Sequence, residues 1–143
     1  MRKIITAGAA AAVFAAVFSF CSLCAAAKMP VLKNADCAKW AAFEDDTVYA
    51  LNFYYREKGM SQMKADEENA LRKSAYEQKL AYVQGLLDAY SQAHEITGDE
   101  KLKFSFKFEE YVAGIDDTCG DKLNEDQKIA GAIMRVNEML KEK

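Results

Sequence analysis

A single histidine, a single proline and a single tryptophan occur in 143 residues. The lone His94 leaves no spaced set of His and Cys ligands that could hold a metal. The lone Pro30 rules out a proline-rich spacer, and no low-complexity stretch divides the chain. Basic side chains are not in excess either, since 19 Lys and Arg stand against 22 Asp and Glu, for a formal net charge of −3. The bases are interspersed with acids along helical segments. Without a clustered cationic face to release counterions from phosphates, nucleic acid is excluded as a partner.

Charge disappears altogether near the amino terminus. Met1, Arg2 and Lys3 make a positive cap, Ile4 to Phe20 carry no charge, and small residues follow at Ala25, Ala26 and Ala27. That order describes a signal peptide, residues 1–27, with cleavage expected after Ala27 and the mature protein exported to the periplasm or secreted from the bacterial envelope. The uncharged stretch sits at the short limit for crossing a hydrocarbon core of about 30 Å and is rich in weakly inserting alanine, so no stable membrane anchor is expected to remain. Acylation at Cys21 or Cys24 ranks low, because Phe20 and Leu23 precede them where a small residue is needed. Residues 28–143 then form one helical domain, large enough for a real core and too small for two ordinary domains. Loss of Arg2 and Lys3 leaves 17 basic against 22 acidic side chains, a net charge of −5.

Cleavage also removes Cys21 and Cys24, leaving Cys37 and Cys119. No C-x-x-C survives, and in an oxidising compartment such a pair is most simply a disulfide. Joining residues 82 apart should constrain the unfolded chain by about 4 kcal/mol.

Apolar periodicity predicts an all-α bundle of four to five helices closed by that disulfide. A first helical segment, within 28–63, opens after Asn34 or Asp36, turns Cys37, Trp40 and Phe43 inward, breaks at Asp45 and Asp46, and resumes through Val48, Leu51 and Tyr54 or Tyr55 to Gly59. Residues 66–143 hold the rest. From Asp66 a long helix carries a seam at Tyr76, Leu80, Val83, Leu87 and Tyr90, widened by Ala75, Tyr82, Leu86, Ala89 and Ala93, and Gly98 ends it. Leu102, Phe104, Phe106 and Phe108 alternate with polar residues as a half-buried strand does, but a lone strand has nothing to pair with. The expectation there is a loop or short extended piece leading into a helix through Tyr111, Val112, Ile115 and Cys119 that ends near Gly120. A last helix is expected after Asn124, with Glu125 and Asp126 in its first turn and Ile129, Ile133, Val136, Met139 and Leu140 on its apolar face.

Two stretches echo each other. Tyr82-Val83-Gln84-Gly85-Leu86-Leu87-Asp88 and Tyr111-Val112-Ala113-Gly114-Ile115-Asp116-Asp117 place Tyr, Val, Gly and Asp identically. Glycine inside a helix costs up to about 1 kcal/mol against alanine, which is tolerated where another backbone comes close. The expectation is a tight helix crossing at Gly85 and Gly114 with Tyr82, Val83, Leu86, Tyr111, Val112 and Ile115 beside it, either within one chain or between two copies.

With Gln78-Lys79-Leu80-Ala81 before the first echo and Lys122-Leu123-Asn124-Glu125-Asp126-Gln127 after the second, this pattern resembles the N-terminal dimerisation domain of FkpA and Mip-type peptidyl-prolyl isomerases. The resemblance covers roughly 77–143. It implies entwined homodimerisation around Tyr82, Gly85, Tyr111, Gly114 and Asp117, an outgoing helix from Glu125, and the holding of unfolded or partner proteins. The catalytic FKBP barrel of that family has no counterpart here, so no isomerase activity is implied, and residues 28–63 with Cys37, like Cys119, depart from the module. More loosely, Cys37-Ala38-Lys39-Trp40, the acids Glu44 to Asp46 and the aromatics Tyr54 and Tyr55 are similar to acid-stress chaperones of the HdeA type and to immunity proteins of the Rap1a/Tai type.

An enzyme would have to be built from Asp88, Asp116, Asp117 and His94, and no Ser, Cys or His stands by as nucleophile and base. The expectation is a non-catalytic binding module without cofactor or metal, whose partners are itself and other proteins. Phe104, Phe106, Tyr49, Tyr54 and Tyr55 offer more aromatic surface than one small core needs. Thiol titration of protein purified from the exported compartment should find neither Cys37 nor Cys119 reactive, and two reactive thiols would contradict the bridge.

Overall fold

The computed structural model describes residues 27–143. All of the expected leader except Ala27 lies outside the described residues, and Ala27 itself packs with Val48, Leu51 and Leu71. Four α-helices follow: α1 (Cys37–Glu57), α2 (Ala65–Thr97), α3 (Phe108–Gly120) and α4 (Ile129–Lys141). Single 3-10 turns at Glu100–Leu102 and Lys122–Asn124 complete the elements of the described residues. The protein is all-α, and Cys37 and Cys119 are bonded, with Cα atoms 4.7 Å apart.

Helix α1 begins where every free backbone donor finds an acceptor. Asp36 caps the helix, its carboxylate accepting from Lys39 N at 2.9 Å. Cys37 N donates to Gln127 O and Ala38 N to Glu125 O, while Ile129 N donates back to Ala35 O. The first-turn N–H groups that a helix leaves unpaired are thus satisfied by the connection between α3 and α4. This arrangement corrects the expected start of the last helix. Residues 125–128 are drawn across the end of α1, with Asp36 and Lys128 forming an antiparallel bridge, so α4 begins only at Ile129.

No break occurs at Asp45 and Asp46. Trp40, Phe43, Thr47, Val48 and Leu51 are all buried along one face of α1, and two acids on the opposite side cost a helix well under about 1 kcal/mol each. Helix α2 opens with Glu67 reaching back to Lys64 N at 3.2 Å and closes at Gly98 in the left-handed conformation, φ 68°. Its 33 residues extend roughly 50 Å at the rise of an α-helix. The buried stripe runs Leu71, Ala75, Lys79, Val83; of the expected seam Val83 is fully buried, Leu80, Leu87 and Tyr90 are half-buried against the core, and Tyr76 stays 41% exposed.

Between α2 and α3 the alternating aromatics form no strand. Phe104 stacks on Tyr90 with ring centroids 5.1 Å apart and meets Tyr111 at 5.5 Å. The backbone of this segment is held by side chains instead of a neighbouring strand. Fully buried Asn137 donates to Lys103 O at 3.0 Å and accepts from the Tyr111 hydroxyl at 2.9 Å, while Phe106 N donates to that same hydroxyl at 3.3 Å. Burial pushes the phenols of Tyr90 and Tyr111 above their ordinary pKa, and Tyr90 spends its proton on Ala130 O at 2.9 Å. The main core lies where α1, α2, α3 and α4 meet, around Trp40, Phe43, Val83, Tyr111, Ile115 and Ile133.

The expected crossing of Gly85 with Gly114 is not made within the chain. A methyl at Gly114 would run into the side chain of Val136 on α4, whereas one at Gly85 would meet no atom within 4 Å. The two echoes therefore point at different surroundings. Gly114→Ala should lower stability by about 1–3 kcal/mol in urea unfolding, as overpacking does. Gly131→Ala, also free of neighbours within 4 Å, should leave stability unchanged or raise it. Equal behaviour of the two variants would contradict the α3–α4 contact.

Candidate functional site

Trp40 is 1% exposed, and a buried indole must place its N–H on an acceptor. It donates to Asp116 Oδ1 on α3 at 2.8 Å. Over its ring, with Nζ 4.6 Å from the centroid, lies Lys79 of α2. Lys79 is itself only 5% exposed and pairs with Glu44 of α1 at 3.1 Å. Glu44 follows Trp40 by one helical turn, so the two side chains share a face and receive one ammonium between them. Three helices are thereby joined through one indole ring. The ammonium loses most of its hydration and regains a carboxylate and a ring face, an exchange that stands only while both partners are present.

Surface depressions lie near this cluster among the described residues. An apolar groove of about 290 Å³ between α2 and α3 is lined by Tyr76, Leu80, Phe108, Val112 and Ala113, with the carboxylates of Glu109 and Asp116 at its edge. Across Tyr76 lies a charged hollow of about 490 Å³ containing Glu44, Asp45, Arg72 and Lys73. There Arg72 is held by Asp45 and by Glu68 at 3.1 Å. A third hollow of about 440 Å³ borders Cys119, Lys122 and Glu125.

Of the residues singled out in the sequence, Val83, Tyr111, Val112 and Ile115 are buried together in the main core, with Tyr82 and Leu86 half-buried against it. Gly85 is exposed on the open side of α2. The acid and base candidates are not gathered: Asp88 accepts from Gln84, His94 Nδ1 faces Asp99 O, and Asp116 receives Trp40. No group of three or more potential metal ligands occurs among the described residues. Phe104 and Phe106 join the core and Tyr54 and Tyr55 the smaller cluster. Tyr49, 66% exposed, stacks with Phe53 in solvent.

Lys79 and the Trp40–Asp116 bond were not anticipated. The available signal was a lysine standing midway in the stripe Leu71, Ala75, Val83, where a long aliphatic stem can be buried if its charge is met. No helix among the described residues is long and apolar enough to cross a membrane. No family model, curated protein or solved structure matches the chain.

Glu44→Gln leaves the Lys79 ammonium without its carboxylate, and because Glu44 is partly exposed the cost should be about 1–3 kcal/mol. Replacing both, with Lys79→Met and Glu44→Leu, should restore most of it. Urea unfolding followed by Trp40 fluorescence reads both, and equal stability of the single variant and the wild type would contradict the coupling.

Proposed function

We propose that the chain works as an exported, non-catalytic binding module of the cell envelope that pairs with a second copy of itself and holds other polypeptides in a chaperone-like manner. The observation that carries this reading is Gly85. It sits in the interior of a 33-residue helix, carries the full propensity cost of glycine, and has no neighbour among the described residues that requires the missing side chain. Gly114 is accounted for by Val136; Gly85 is accounted for by a second backbone approaching from outside. Ala81 and Ala89, one turn to either side, are exposed as well, so two copies of α2 could approach along this stripe without displacing any core residue.

Export is supported by the charged cap and apolar run before Ala27 and by a disulfide of the kind that persists in an oxidising compartment. The binding role is supported by the apolar groove between α2 and α3 with Glu109 and Asp116 at its edge. Light scattering at micromolar concentration should give the mass of a dimer, and Gly85→Leu should give a monomer with unchanged helical circular dichroism. A monomeric wild type, or a dimer indifferent to Gly85→Leu, would overturn the pairing.

A further inference from the structure

The groove between α2 and α3 carries a charge asymmetry that the neighbouring hollow lacks. Inside the neighbouring hollow the acids are already answered, Glu44 by Lys79 and Asp45 by Arg72. At the groove, both charged side chains are carboxylates, Glu109 and Asp116, and neither makes an ion pair among the described residues. Asp116 is held in place: Trp40 fixes one of its oxygens at 2.8 Å from within the core, and the other oxygen receives no hydrogen bond among the described residues. An oriented, unanswered carboxylate beside apolar surface attracts a cation with little ordering cost left to meet.

The spacing specifies the ligand further. Glu109, Val112, Ala113 and Asp116 occupy positions i, i+3, i+4 and i+7 of α3, which places them on one stripe with the two carboxylates about 10 Å apart along the axis. Between the carboxylates lies the apolar floor. At about 290 Å³ the groove falls at the lower bound of ligand pockets, which start near roughly 300 Å³. That volume suits one or two large side chains presented by a chain lying across it.

We infer that this groove docks a cationic amphipathic helical segment of a partner protein. The segment carries Lys or Arg at two positions seven residues apart and large apolar residues midway between them, the complement of the α3 stripe. The apolar side chains seat among Tyr76, Leu80, Phe108 and Val112, and the basic residues face Glu109 and Asp116. This inference rests on the binding-module reading and names the chemistry of its partner.

The test uses protein purified from cells expressing the full chain and a synthetic helical peptide of about 16 residues with Lys at i and i+7 and Leu at i+3 and i+4. Binding is read by Trp40 fluorescence and calorimetry. The peptide should bind saturably and more weakly as salt rises. Asp116→Asn, which keeps an acceptor for Trp40, should weaken it about three- to fivefold, the size of an exposed ion pair. Ala113→Phe, a substitution at an exposed position that fills the groove, should abolish binding without altering circular dichroism. Peptides with Glu for Lys, or Ser for Leu, should not bind. Absence of saturable binding, equal binding of the Glu peptide, or full binding to Ala113→Phe would each overturn the proposal. Envelope partners that co-purify equally with wild type and Ala113→Phe would leave the binding module standing and remove this groove from it, whereas no partner with the wild type would contradict the module itself.

Discussion

Asp36 and Cys37 tie the first helix to a part of the chain more than eighty residues away by covalent and hydrogen bonds at once. The Cys37–Cys119 bridge fixes the start of α1 against the end of α3, and within two residues of it Cys37 N and Ala38 N donate to Gln127 O and Glu125 O. Neither device would suffice alone. A disulfide by itself restrains distance and lowers the entropy of the unfolded chain, but leaves the first-turn donors of α1 in need of acceptors. The connection between α3 and α4 supplies those acceptors because the bridge and the return bond from Ile129 N to Ala35 O hold it there. The same connection then delays α4 until Ile129.

Once α1 is anchored, the position of Trp40 follows. One turn beyond Cys37, it enters the core and needs an acceptor for its N–H, which α3 provides in Asp116; one turn further, Glu44 meets Lys79 of α2. The indole therefore links the covalent lock to the groove. Its bond from below orients a carboxylate at the edge of the groove, so the charge beside that apolar surface is set by the core. The two glycines differ in their surroundings: Gly114 lets α4 close against α3, and Gly85 meets no neighbour within 4 Å among the described residues.

Much of this was legible in the residues. The helical class, Asp36 as one of two candidate caps, Gly98 as the end of α2 and the inward turn of Trp40 and Phe43 followed from local periodicity and capping chemistry, and the Cys37–Cys119 pairing from the two cysteines left beyond the expected leader. What escaped were features fixed by partners distant in sequence. Lys79 carries a charge that no local pattern marks for burial, although Glu44 and Trp40 make its burial tolerable. The acids Asp45 and Asp46 suggested a break, because the burial of Thr47 and Val48 on the far side of the same turns was not visible locally. The echo of Tyr, Val and Gly suggested one crossing. The environments differ, however, since Tyr111 is bound by Asn137 and Gly114 by Val136, both supplied by α4, while Gly85 faces outward.

The most direct measurement of the central claim, a disulfide-locked helical module that binds through the α2–α3 groove, is site-specific photocrosslinking in the native cell. A photoreactive side chain at Glu109, at the edge of the groove where it leaves the apolar floor open, should capture a second polypeptide at a helical segment bearing basic residues on either side of apolar ones. A silent position 109, with efficient capture from Tyr49 on the exposed side of α1, would contradict the account.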